Sequence, residues 1–479
     1  MIDIKPKIHD KNTLEFKVGF IPEEGVAYND FYMNTWIYIP EVLDINRHTY
    51  TKDDFYRDTI SNLRLITPSY TLKELASADS LPNCRLREQC EAIGKNQDDD
   101  TLKSFESEVK MYASIVKSSV RDASKAIANL KGKEYSNQCI EFVDLVDKVL
   151  DLYRSLRPLL GKTDSSCECH TYFNFGDEFI SNVVEQHLSR LIERLSVPLP
   201  ESITRLLSDE HSYRCSMNYL NVEDDSHDNN SQFVYHAGQL KKYIESNLYL
   251  PTHKRRNTAF LEQVVFSLAA GISMVFATVV SFAFQQTYGN FTLPFFIALV
   301  ISYMFKDRIK DLIRNYFANR LGSRFYDYLI TIKVNAKKIG WVKEGFDYVS
   351  PSDVSRHVAE TRARKSPLVI NRGVDEQVIQ YRKYVHLRRK SVNRLSAYPL
   401  SGINNIVRYN LSAFMRKMDN PQVPLFVNDG SGEHSTVMGD KVYYLNFVIQ
   451  CKYEQHSEYK RYRVCLRSDG IKKVYEISK

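Results

Sequence analysis

Between Phe260 and Phe305 the chain runs almost without charge, with basic residues at both ends of the run. No other feature constrains the fold as strongly, because about 20 apolar residues in a helix match the ~30 Å hydrocarbon core of a bilayer. From Val264 to Phe284 there are 21 residues with no ionisable side chain, and as a helix they reach about 32 Å. The second run, Phe291 to Phe305, has 15 residues and reaches only about 22 Å. Pro294 suits its first turn, and Lys306 and Arg308 could extend it by snorkelling. The expected fold class is therefore an integral membrane protein with a two-helix transmembrane hairpin. A re-entrant hairpin and a buried helical hairpin are the alternatives.

Charge sets the expected orientation. Lys254, Arg255 and Arg256 precede the first run, and Lys306, Arg308, Lys310 and Arg314 follow the second, while the turn Gln285–Asn290 has none. The positive-inside rule then places both flanks in the cytoplasm of a bacterial inner (plasma) membrane. The opening MIDIKPKIHDKNTLEF has no signal-peptide h-region, and the eight cysteines read as free thiols. Within the runs, Ala269, Ser273, Ala277 and Ser281, with Ala298 and Ser302, form small-residue ladders. These suit packing of the two helices on each other, or a homo-oligomer seam.

The flanks read as folded. Residues 1–95 suggest a small α+β region, with strands at Leu14–Val18 and Trp36–Ile39 and a helix start at Thr51 and Asp54. A helical bundle is expected over 101–222, seeded by the 3-4 spacing of Leu102, Phe105, Val109, Tyr112 and Val116. A linker and juxtamembrane helix over 223–257 leads to the hairpin at 258–305. An amphipathic juxtamembrane helix covers 306–340, and a basic α+β domain covers 341–479. That domain ends in an antiparallel β-meander, signalled by alternation at Leu445, Phe447 and Ile449 and by the turn Ser468-Asp469-Gly470.

Chemistry-bearing motifs are few. Gly161-Lys162-Thr163 lacks the glycine of a phosphate loop, since Leu156 stands there, and Asp429-Gly430-Ser431-Gly432 lacks the third glycine of a dinucleotide fingerprint. Cys167, Cys169 and His170, with His211 and Cys215, could supply zinc ligands, but their spacing favours independent side chains. Neighbours such as Glu185 and His187, or Asp177 and Glu178, point to different faces of a helix. No cofactor is expected, and the catalytic residues are unknown.

The basic run Arg382, Lys383, Arg388, Arg389 and Lys390, with Tyr381 and Tyr384 interleaved, reads first as a solvated face. Contact with anionic lipid is the next reading, and nucleic acid is disfavoured. Taken together, these features suggest a membrane-tethered, cytoplasmic-facing scaffold or sensor, with the lipid bilayer as partner. A pore-forming or membrane-disrupting oligomer and a membrane-bound enzyme with a dispersed site are the alternatives.

Overall fold

The structure, a computed structural model, describes all residues except 1, 22–27, 131, 162–167, 194–200, 224–225, 258, 290–291, 323–324, 335–336, 363–375, 389–397, 399–401, 429, 431–433, 454–455 and 478–479. It divides into two compact units, Met1–Leu63 with Pro251–Ala397 and Asn404–Lys479, and Arg64–Leu250 with Tyr398–Ile403.

The first unit is built on antiparallel sheet. Its strands are β1 (Ile2–Ile8), β2 (Thr13–Phe20), β3 (Tyr28–Pro40), β4 (Thr59–Leu65), β5 (Thr252–Arg256), β6 (Tyr328–Val334), β7 (Lys337–Val349), β8 (Glu376–Arg388), β9 (Ile403–Asn410), β10 (Gln422–Asn428), β11 (His434–Asp440), β12 (Tyr443–Tyr453), β13 (His456–Arg467) and β14 (Gly470–Ile477). Eight of them form one sheet in the order β14-β13-β12-β3-β8-β7-β6-β5, and β1-β2-β9-β4 form a second. The central strand β3 pairs with β12 on one side and β8 on the other. Residues near the N-terminus and near the C-terminus therefore share one sheet. Between the sheets lies an aromatic core, in which Phe16 meets Phe447 and Tyr462, and Phe20 meets Phe31.

The second unit is helical, with α3 (Leu81–Lys95), α4 (Asp99–Ala128), α5 (Gly132–Arg154), α6 (Glu168–Glu193), α7 (Glu201–Ser216) and α8 (His227–Glu245) following the short α1 (Lys52–Asp58) and α2 (Leu72–Leu75) in chain order. Asp98 caps α4 by accepting from the Thr101 amide at 2.8 Å. Phe105, Val109, Tyr112 and Val116 are buried along that helix, and Tyr153 of α5 stacks between Tyr112 and Phe173.

The membrane architecture needs correction. α9 (Ala259–Tyr288) contains a stretch, Gln263–Tyr288, that is the one helix among the described residues long and apolar enough to cross a membrane. α10 (Leu293–Gly322) fails that test. Its apolar part ends at Phe305 after about 20 Å, and the same helix continues through Lys306, Asp307, Arg308, Lys310 and Asp311. The flanking basic residues Lys254, Arg255 and Arg256 lie on strand β5, which pairs with β6, so the helix pair is an excursion between two adjacent strands. A two-span hairpin, and the orientation with both termini in the cytoplasm of an inner membrane, therefore no longer follow. The tethered scaffold, the pore, the membrane-bound enzyme, and bilayer and homo-oligomer partners lose their basis with it. The sequence misleads here because apolar length alone does not reveal the sheet that brackets it.

Ala269, Ser273, Ala298 and Ser302 are buried, and the Ser302 hydroxyl donates to the Ala277 carbonyl at 3.2 Å. Ser281 bonds back to that same carbonyl within its own helix. The outward side chains Leu268, Ile272, Val275 and Val279 are exposed.

Candidate functional site

In an antiparallel sheet, residues directly opposite one another stand on the same face, and neighbours along a strand alternate. On β8 this separates the basic run into two environments. Lys383 points inward. It is 1% exposed, donates to Asn405 Oδ1 at 2.5 Å and to Ser61 Oγ, and pairs with Glu344 at 3.4 Å. Lys254 reaches the same carboxylate at 3.5 Å. Burial opposes the charge on Glu344, but Lys383 and Lys254 outweigh it and hold the carboxyl below its ordinary range. Burial pushes the Lys383 ammonium down. A residue so enclosed cannot contact lipid. Arg389 and Lys390 lie outside the described residues.

The outward residues of the same strands make a different surface. One row across β3, β8, β7, β6 and β5 is Asp30, His386, Trp341, Thr331 and His253. The next row carries Lys452 of β12, then Tyr32, Tyr384, Lys343 and, on β5, Arg255. Tyr32 stacks on Tyr384 at 4.3 Å and 8°. His386 stacks between Tyr28 at 5.2 Å and Trp341 at 5.0 Å. These separations match the ~4.8 Å spacing of strands, so the rings form a file standing across the sheet. The file stops at Thr331, a small side chain between the Trp341 indole and the exposed His253.

Asp30 holds the file in place. One of its oxygens accepts from Tyr384 OH at 2.9 Å and from His386 Nδ1 at 2.7 Å, which puts the proton on Nδ1 in the neutral ring. Burial, with the bonds to Tyr32 and Asp30, keeps the Tyr384 phenol protonated. Cations border the rings. Lys343 Nζ lies 4.8 Å over Trp341, Arg388 covers Tyr28 and donates to its hydroxyl at 3.2 Å, and Arg382 covers Tyr326 and donates to the Phe325 carbonyl. Arg255 and Lys452 are exposed and have no ion-pair partner among the described residues. The far end of this face is closed, because Trp36, Tyr38, Val378 and Val448 pack against Val358 of α11 (Arg356–Arg362).

The remaining sequence candidates do not converge. His211 and Cys215 approach to 3.8 Å as neighbours one turn apart on α7. Cys169 is buried and His170 stands beside it on α6. Cys167 lies outside the described residues, as do Lys162, Thr163, Asp429, Ser431 and Gly432. No group of three metal-type ligands occurs among the described residues. Asp177 is tied to Arg154 and Arg157, Glu178 to His236, and Glu185 to Arg214.

Sequence reasoning missed Tyr28, Tyr32, Trp341, Lys343 and His253, which are scattered over three strands and leave no local motif. Only the alternation within β8 could have separated Tyr384 and His386 from Lys383. No protein-family model, no curated protein and no solved structure matches the chain.

Proposed function

We propose that the open face of the eight-stranded sheet binds single-stranded nucleic acid. Single strands are held by flat rings on which bases stack and by cations that follow the phosphates, and this face offers both. The observation that carries the reading is the ring file Tyr28–His386–Trp341 ending at Thr331, where a base laid beside the indole would extend the stack. Cross-strand aromatic pairs stabilise any sheet. An open end bordered by cations that have no ion-pair partner among the described residues is what favours a ligand here. Lys343, Arg255, Arg388 and Lys452 would meet the backbone, and they outnumber the one carboxylate in the file, Asp30, which is engaged by His386 and Tyr384. The net charge of +7 acts in the same direction.

Anisotropy with a labelled oligonucleotide of about 12 nucleotides tests the proposal. The full chain is expected to bind single strand in preference to duplex. Trp341→Ala should weaken binding by about 5- to 100-fold, the equivalent of one lost stacking contact. Equal binding by the W341A chain, or preference for duplex, would overturn it.

A further inference from the structure

The helical unit contains a separate cavity of about 160 Å³ between α4 and α6, lined by Ser124, Lys125, Ala128, His187, Arg190 and Leu191. From its lining we infer that this cavity is a binding site for a phosphate-sized oxyanion, held by Lys125, Arg190 and the imidazole of His187.

Lys125 and Arg190 are exposed at the rim, and neither has an ion-pair partner among the described residues. By contrast, the nearby Lys117 is committed to Glu245 and Arg121 to Asp122. Two cations on adjacent helices with a pocket between them leave a place where an anion can meet both. The volume is that of about five waters at ~30 Å³ each, which fits one tetrahedral oxyanion with room to spare.

The imidazole is pre-set as a neutral donor. Burial, then the charges of Arg190, Arg121, Lys117 and Lys125, hold its pKa down to about 4. His187 Nδ1 lies 3.1 Å from Ser124 Oγ. The hydroxyl can donate either to that nitrogen or to the Arg121 carbonyl at 3.0 Å. When it donates to Nδ1, the ring proton sits on Nε2, which has no other partner among the described residues and can donate to the anion. Rotation of one hydroxyl therefore selects the binding tautomer and leaves no buried group orphaned. A Ser–His hydrolase is a weaker reading of the pair, because no carboxylate orients the ring and no oxyanion donors flank Ser124 among the described residues.

Calorimetric titration of the full chain with inorganic phosphate, at ionic strength matched by chloride, tests the site. One saturable site is expected. It should weaken about tenfold in each of Lys125→Met and Arg190→Met, exposed changes that leave the helices folded. It should be unaffected in Lys343→Met, which separates it from the sheet face. Absence of saturable binding, or binding unchanged in the K125M/R190M chain, would overturn the inference. Glycerol 3-phosphate distinguishes the source. Binding comparable to phosphate supports an ester end group, and at least tenfold weaker binding supports the free ion.

Discussion

Lys383→Met should destabilise the sheet unit by about 3 kcal/mol. The side chain is 1% exposed and meets Glu344, Asn405 and Ser61. Its loss leaves a buried carboxylate and two polar groups without their cation. Removing one partner of a buried pair costs about 3–5 kcal/mol, and Lys254, 3.5 Å from Glu344 and 41% exposed, places this case at the low end. The midpoint of thermal unfolding should fall by roughly 6–12 °C at ~2–4 °C per kcal/mol. Tryptophan fluorescence is the assay, because both tryptophans, Trp36 and Trp341, belong to this unit. The paired change K383M/E344L removes both charges and should recover much of the loss, since apolar replacement of a buried pair is often neutral or better. A K383M midpoint within about 0.5 kcal/mol of the unmodified chain, or a double variant no more stable than the single, would refute the reasoning.

Other outcomes follow from the same contacts. Glu344 is depressed in the folded state, so the unfolded chain takes up its proton first as pH falls. Its contribution is complete above the unfolded value of about 4.3 and is lost as pH drops through the lower folded value. Acid unfolding of E344Q should accordingly lose steepness in that window. Asp177→Asn leaves Arg154, Arg157 and Tyr219 without the carboxylate they share at 3.2, 2.9 and 3.2 Å. It should cost the helical unit about 3 kcal/mol by circular dichroism, and a change below 1 kcal/mol would show the network to be slack. Gly340→Ala drives a Cβ into the His386 carbonyl. A cost of about 1–3 kcal/mol, with weakened oligonucleotide binding, is expected, and wild-type binding would uncouple the ring file from its strand spacing.

Local signals in the sequence are legible where they act within one element. The Thr51–Asp54 pair is a capping box at the start of α1. The alternation of Leu445, Phe447 and Ile449 lies on a strand, β12, with those three side chains buried. What the sequence conceals is set by pairing across long separations. Asn34 and Gln450 hydrogen-bond at 3.0 Å from opposite ends of the chain, and no local pattern announces that β3 will sit at the centre of the sheet. The apolar run misleads for the same reason, since β5 and β6 on either side of it are short strands whose partnership is visible only in three dimensions. The basic run is continuous along the chain, whereas the pleat sends Lys383 inward and Arg382 and Tyr384 outward.

The measurement that bears most directly on the central claim is the emission of Trp341 during titration with a single strand. Trp36 is buried under α11 and contributes background, so Trp36→Phe isolates the Trp341 signal. Stacking of a base beside the indole predicts saturable quenching. Four phosphate-neutralising side chains, Arg255, Lys343, Arg388 and Lys452, predict an affinity that falls with salt at a log–log slope of about −3, from ~0.7 per contact. Emission that stays constant through a titration at low salt, or quenching indifferent to salt, would contradict a nucleic-acid role for this face.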